Sequence, residues 1–400
     1  MTLSTTLEAC VRNELRYAVE GIESANQSEK ILGQRIVAVI TFRHCLQSVR
    51  QNQATEAHFT PLIDALQQTL TLGGLKANSR HTMVNALSSL CRRTKYLPRH
   101  VKVSASSAAT ICLGPHPYIT HLPNKDVFHR VPHQGRFVQI ERYRAKSDAQ
   151  ESNTEQLIHD IIIRFNYSNE GLLPFLGAHQ DVERDFRTTY LISHHRQSSG
   201  IRDYTFNRRG VRSLSLLKAL LKALDFLHSN GIAHGRLKPS EVVVDDAGRA
   251  RLLGLGLGVL ASADGGVSLA VADCVPLGEY MWMSPELLRA HRDGELLVPT
   301  AAGDIYSFAL LAYEIFTGKN SFPEIGSHRS AIIGIQKLFK AVVDNDERPT
   351  KPAEGSTAYT HHGMTDDIWN MIQDCWAPEP AERPSARDIL NRPFMIVPDS

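Results

Sequence analysis

The sequence predicts an α+β chain in two lobes, a small strand-rich part ahead of a larger helical part, with an all-α region in front of both. Three observations carry this. Residues 3–94 repeat apolar side chains at steps of three and four, the spacing of one helix face. Residues 127–144 mix β-branched and aromatic residues with polar ones, a strand pattern. Beyond 213 apolar helical segments return, broken by Pro-containing loops. Strands followed by a run of helices is an α+β layout.

The first helix is predicted over 3–24, where Leu3, Leu7, Val11, Leu15, Ala18 and Ile22 line one side. Similar patterns run through 29–51, 56–72 and 80–94, with Gly73–Gly74 separating the last two. Residues 1–100 therefore read as about four amphipathic helices, a bundle or adaptor region that packs on itself or on the downstream lobes. The small residues VSASSAA (103–109) predict a linker over 101–120. From 121 the texture changes: strands over 127–131 and 136–144, then a helix in EQLIHDIIIRF. A strongly apolar helix covers 213–229 and is stopped by Asn230–Gly231. Two strands, EVVV and RARLL, are joined by Asp245-Asp246-Ala247-Gly248, a hairpin turn sequence. The two-lobed region is expected over 121–396, divided at 195/196.

Composition excludes several function classes. With 400 residues, 42% hydrophobic and 22% charged, the chain is ordinary globular material, long enough for two to three domains. A net charge of +2 gives no basis for a nucleic-acid partner. The six cysteines (10, 45, 91, 112, 274, 375) form no CxxC pair, which points to reduced thiols in a cytoplasmic protein. The N-terminus carries Glu8 and Arg12 and lacks the apolar stretch of a signal peptide. The most apolar runs, 252–261 and 306–316, are too short to span a bilayer, so a membrane role is not expected. His194-His195 and His361-His362 lack i,i+4 spacing, and no metal site is expected. Arg92, Arg93 and Lys95 read as the basic end of a helix. Ser262 and Ser268 are candidate phosphate acceptors in a polar loop.

Five segments then stand in a telling order: GLLPFLG (171–177), HGRLKPSEV (234–242), MWMSPE (281–286), GDIYSFALLAYEIFTG (303–318) and IWNMIQDCWAPEPAERPSARDIL (368–390). The second resembles the kinase catalytic loop H-x-D-L-K-P-x-N, the third the A-P-E end of an activation segment, and the fourth the helix that organises the large lobe. The last is similar to the CW-x(n)-P-x-x-RP signature of the tyrosine-kinase-like group, in the expanded form found in mushroom-forming fungi. The resemblance covers 121–396 and implies a bilobal protein-kinase fold.

It also implies which side chains phosphoryl transfer requires, and most are replaced. Transfer depends on positioning and charge neutralisation. Where the base Asp belongs stands Arg236, whose guanidinium has no acceptor lone pair. General-base catalysis contributes roughly 10²–10⁴-fold. Glu241 replaces the metal-binding Asn, although a carboxylate still binds Mg²⁺. Gly254, in Gly254-Leu255-Gly256, replaces the Asp of D-F-G and offers no side-chain oxygen, while Gly256 keeps the motif's structural glycine. Glu141 replaces the phosphate-holding strand lysine, and Asp160 takes the place of the helix carboxylate that pairs with it. Two like charges at ~4 Å cost on the order of 4 kcal/mol at an effective dielectric near 20. Arg142 or Arg236, protonation of one carboxyl, or an outward swing of the helix are the expected reliefs. THLPNKD, ahead of Val127, contains no glycine for a phosphate-cradling loop.

The retained positions have other work. Lys238 would face the transferred phosphate. His234, Asp304, Glu286 and Arg383 have structural roles by resemblance, and Trp282, Trp369 and Trp376 read as core anchors. The expectation is a pseudokinase, a scaffold or allosteric partner in intracellular signalling. It would bind a protein, an active kinase among the candidates, and no cofactor. Two alternatives stand beside it. One is an atypical kinase using ATP and Mg²⁺. The other is a membrane-acting effector working through the N-terminal helices, on a layout similar to the mixed-lineage kinase domain-like necroptosis protein.

Overall fold

The computed structural model describes residues 56–72, 75, 77–102, 119–122, 125–133, 136–146, 151–182, 186–194, 199–207, 213–245, 247–253, 259–260, 277–295, 298–326 and 331–396. The helices expected over 3–24 and 29–51, and the 103–109 linker, lie outside them. The chain divides into two compact units. The first runs up to Ser168 and adds Pro174–His195; the second takes Asn169–Leu173, Arg196–Ala261 and Val267–Ser400.

The first unit opens with helices α1 (Glu56–Leu72) and α2 (Ala77–Thr94). Leu62, Ile63, Leu66 and Leu70 of α1 and Met83, Val84, Leu87, Leu90 and Cys91 of α2 are buried, one apolar stripe on each helix. Helix α3 (Glu151–Asn166) buries a wider arc that takes in Ile158, Ile161, Ile162 and Ile163. It lies between α2 on one side and strand β4 (Phe175–Val182) on the other. Two pairs of polar groups buried in the helical layer are matched. Gln67 and Asn166 exchange two amide hydrogen bonds (3.0 and 3.1 Å), and Ser88 Oγ lies 2.7 Å from His159 Nδ1. Arg80 donates to the Leu70 and Asn166 carbonyls, satisfying two helix-end acceptors.

Strands β1 (Ile119–Leu122), β2 (Lys125–His133), β3 (Arg136–Lys146), β4 and β5 (Phe186–His194) form one antiparallel sheet in the order β1-β2-β3-β5-β4. Lys102 bridges to Ala178 of β4, tying the end of the helical pair to the sheet. In β3, Glu141 stands opposite Val127 on one side and Leu191 on the other. Side chains alternate across a strand, so Glu141 and Tyr143 share a face while Arg142 points to the other.

The second unit is built on two helices buried along most of their length, α5 (Ser213–Ser229) and α7 (Ala301–Thr317). Helix α4 (Ile201–Asn207) precedes them, and α6 (Pro285–Arg292) lies between them in sequence. Thr300 caps α7 by accepting the Gly303 amide at 3.0 Å. Trp369 and Trp376 pack edge to face, 5.6 Å apart, at the end of helix α11 (Asp366–Cys375), a favoured aromatic geometry; α8 (Pro323–Gly326), α9 (Ala331–Leu338) and α10 (Thr357–Thr360) come before it, and α12 (Ala386–Leu390) and α13 (Pro393–Ile396) after it. The expected hairpin is present as β8 (Val242–Val244) and β9 (Ala250–Leu252), with β6 (Ser199–Gly200) beside β8. Its turn is held by Asp245, whose Oδ1 accepts the Ala247 and Arg249 amides.

Gly171 shows how closely this unit is packed. A Cβ placed there would lie 2.6 Å from Ala223 Cβ on α5. Gly171→Ala is therefore expected to cost about 1–3 kcal/mol, the usual penalty of overpacking. Urea unfolding of the variant measures it, and an unchanged midpoint would contradict the crowding.

Candidate functional site

The site residues fall into two groups, one in each unit. In the first, β3 and α3 bring two carboxylates together. Glu141 is only 5% exposed. Tyr143, two residues on and on the same face, donates its hydroxyl to Glu141 Oε2 at 2.8 Å. Asp160 meets Arg164 one turn along α3, with Nε to Oδ1 at 3.0 Å and Nη2 to Oδ2 at 2.9 Å, a two-point contact. Arg164 Nη1 lies 3.8 Å from Glu141 Oε1. One guanidinium thus serves both carboxylates. Burial by itself would lower the Arg164 pKa, but the charges of Asp160 and then Glu141 outweigh it and hold it above its ordinary value.

The source of neutralisation therefore differs from the expected one. Among the described residues, the cation seen to reach both carboxylates is Arg164, where Arg142 or Arg236 was expected. Arg142 sits on the wrong face of β3, and Arg236 finds its carboxylate in the second unit. The i,i+4 spacing of Asp160 and Arg164 is readable in the sequence and is the signal that identifies the pair.

In the second unit the loop 234–242 leaves β7 (Ile232–Ala233), which pairs with β10 (Val259–Leu260), and reaches β8 through a 3₁₀ turn at Pro239–Glu241. Asp304, in the first turn of α7, fixes its start. Its Oδ2 accepts the His234 amide and its Oδ1 the Gly235 amide, both at 2.7 Å, and His228 Nε2 lies 2.9 Å from Oδ2. Gly235 has φ +76°, a left-handed conformation that favours glycine. His234 is fully buried, and its Nδ1 accepts the Arg236 amide at 3.3 Å. The Arg236 side chain pairs with Glu241 at 3.3 Å. Lys238 precedes the 3₁₀ turn as its N-cap residue. Gly254 and Gly256 lie outside the described residues, as do Ser262 and Ser268.

Glu286, in the first turn of α6, and Arg383, after the 3₁₀ turn Pro380–Glu382, form a fork-to-fork pair with both contacts at 2.8 Å. Arg383 also donates to the carbonyls of Ala302, Ala377 and Pro378 and stacks over Tyr306 at 5.2 Å. Burial works to raise the Glu286 pKa, but the Arg383 hydrogen bonds and charge hold the carboxyl below its ordinary range. Trp369 and Trp376 are buried; Trp282, expected as a core anchor, is half-buried and lines a cavity beside the loop. Burial pushes the thiols of Cys91 and Cys375 up, which leaves them unreactive. Among the described residues, no cluster of His, Cys, Asp and Glu is arranged to hold a metal ion, and no helix is long and apolar enough to cross a membrane.

Comparison with known proteins places these features. The family described as "Protein kinase domain" matches residues 135–395. The chain is 30% identical over 185 residues to the receptor-type guanylate cyclase Gyc76C of Drosophila melanogaster, covering 44% of this chain and 11% of that one. It is 27% identical over 210 residues to the serine/threonine/tyrosine-protein kinase HT1 of Arabidopsis thaliana, covering 50% and 45%. With the serine/threonine-protein kinase mos of Patiria pectinifera it shares 29% over 172 residues, covering 43% of each. The chain spans less than half the length of each of these relatives.

Proposed function

Because the chain belongs to the protein kinase domain family, we propose that it is a member that has exchanged phosphotransfer for binding, a pseudokinase serving as a scaffold or allosteric partner in intracellular signalling. The observation that carries this reading is Glu141. It is a buried carboxylate on β3, held by Arg164 and Tyr143, at the position where a phosphate-holding lysine belongs. An ion pair still joins β3 to the following helix, but its cation is Arg164, one turn beyond Asp160, and its carboxylate stands on the strand. An anion there repels phosphates, and the neighbouring cation is committed to two carboxylates. Arg236 adds to this, since a guanidinium is no base.

The buried pattern of the second unit supports retained function. α5, α7 and the Glu286–Arg383 pair keep what a stable fold needs, and the replacements fall on the positions that chemistry needs. The C-terminal CW-x(n)-P-x-x-RP signature supports a place in the tyrosine-kinase-like group, of the fungal expanded type. We assign the protein to the cytoplasm, with another protein, an active kinase among the candidates, as its partner. Helices α1 and α2 bury their apolar stripes within the first unit, which speaks against their serving a bilayer.

Thermal-shift titration of the full chain with ATP, with and without Mg²⁺, tests the reading. No Mg²⁺-dependent stabilisation is expected. A gain near 2.7 kcal/mol, the value for a ligand at about 100 times its Kd, would contradict it. Radiolabel transfer that disappears in Lys238→Ala would favour the atypical-kinase alternative.

A further inference from the structure

The large apolar side chains exposed among the described residues are Val298, Ile332 (69%), Ile333 (44%) and Ile396. Single cases of this kind are ordinary. Ile332 and Ile333, however, are adjacent on helix α9. At about 100° per residue, Ile332, Ile333, Gln336 and Lys337 fall on one side of that helix. Lys340 continues the same side into the π turn Phe339–Asp344, and all five residues are exposed. The opposite side is anchored. Gly334 and Leu338 are buried, and Phe339 packs against Tyr280 and His291 with ring centroids 6.3 and 6.1 Å apart. The Tyr280 hydroxyl in turn lies 2.7 Å from His291 Nε2 on α6. A surface helix ordinarily turns its apolar side inward. This one is fixed to the unit by one side and turns two isoleucines outward on the other.

The charges beside the isoleucines narrow the choice of occupant. Among the described residues, neither Lys337 nor Lys340 forms an ion pair. Asp344, at the end of the π turn, is held by Arg292 at 2.8 Å, and Arg292 also meets Asp293 at 3.2 Å. Glu324 of α8 is exposed and is the other acid described on α8, α9 and the turn. Two apolar side chains beside two unmatched cations suit a segment that presents apolar side chains beside carboxylates. A second copy of this chain fits less well. An isologous contact uses the same patch on both subunits, so the same cations would stand on both sides of it. An amphipathic helix with an acidic edge offers the right groups at the right spacing.

We propose that the outer face of α9 docks an acidic amphipathic segment of a partner protein, with Ile332 and Ile333 as apolar anchors and Lys337 and Lys340 selecting its carboxylates. The proposal rests on the binding reading above and names the surface and the partner's chemistry. Selection of a random peptide library displayed on phage against the full chain tests it. The recovered peptides are expected to combine Leu, Ile or Phe with an excess of Asp and Glu. Ile332→Glu together with Ile333→Glu is expected to weaken their binding by about tenfold or more, in keeping with loss of a buried apolar anchor. Lys337→Glu together with Lys340→Glu is expected to weaken the acidic peptides and to favour synthetic copies that carry Lys in place of Asp and Glu. Loss of stability would not produce that reversal, so it decides the matter if the isoleucine variant melts early. No enriched peptide, recovered peptides without an acidic excess, or binding unmoved by both double variants overturns the proposal. A dimer in sedimentation that the isoleucine variant dissociates overturns it too, giving the face to a second copy. Failed peptide binding with no ATP stabilisation leaves the pseudokinase reading intact, whereas phosphate transfer removes that reading whatever the peptides do.

Discussion

Arg383→Met lowers stability by about 3–5 kcal/mol, the cost of leaving one member of a buried ion pair alone. The Arg383 side chain is fully buried, and five hydrogen bonds leave it. Two go to Glu286 and three to backbone carbonyls, so the variant strands a carboxylate and three acceptors together. Methionine fills much of the volume, which separates the polar loss from a cavity effect. For a unit of this size the melting temperature falls by roughly 6–20 °C, at about 2–4 °C per kcal/mol. Acid titration supplies a second measurement. The folded Glu286 carboxyl lies below its ordinary 4.5. Its contribution to stability is therefore present above that value and lost as pH falls through the folded one. The wild type loses it on acidification, while Arg383→Met has already lost it. A variant within about 1 kcal/mol of wild type at neutral pH would show that the pair carries no such load.

Arg164→Met is the second large effect, again about 3–5 kcal/mol. It removes the guanidinium that reaches both the buried Glu141 and the partly buried Asp160. The combined variant Glu141→Leu, Asp160→Leu, Arg164→Met is expected to recover most of the loss, since well-packed apolar replacements of a buried charged triad are often neutral or better. A residual of about 1 kcal/mol remains for the Tyr143 hydroxyl, which loses its acceptor. Denaturant unfolding of both variants checks this. If the triple variant is less stable than Arg164→Met, the charges are not what holds β3 to α3.

Local signals and long-range ones divide what the sequence discloses from what it hides. The helix at 56–72, the apolar helix at 213–229 and the hairpin closed by Gly248 are legible because periodicity and turn chemistry act locally. Asp304 and the Glu286–Arg383 pair come from motif resemblance, and the structure supplies their geometry. Arg164 escapes position matching, which draws attention to Arg142 and Arg236, although helical spacing points to it. The packing of α1 and α2 on α3 has no local signal. It depends on matched polar groups such as Gln67 with Asn166 and Ser88 with His159, far apart in the chain and without a period. Trp282 reads as core in the sequence because a tryptophan's type does not tell whether its indole N–H has been met.

The Gln67–Asn166 amide pair spans 99 residues, and that distance is also an interval of time. A ribosome adds about 5–20 residues per second. After Gln67 is made, roughly 5–20 s pass before its partner exists. Through that interval the stripes of α1 and α2 have each other but not α3, and the isoleucines they will help cover have not been translated. The nascent chain therefore presents an apolar helical hairpin before the first unit can close, which makes this stretch a natural client for a chaperone at the exit tunnel.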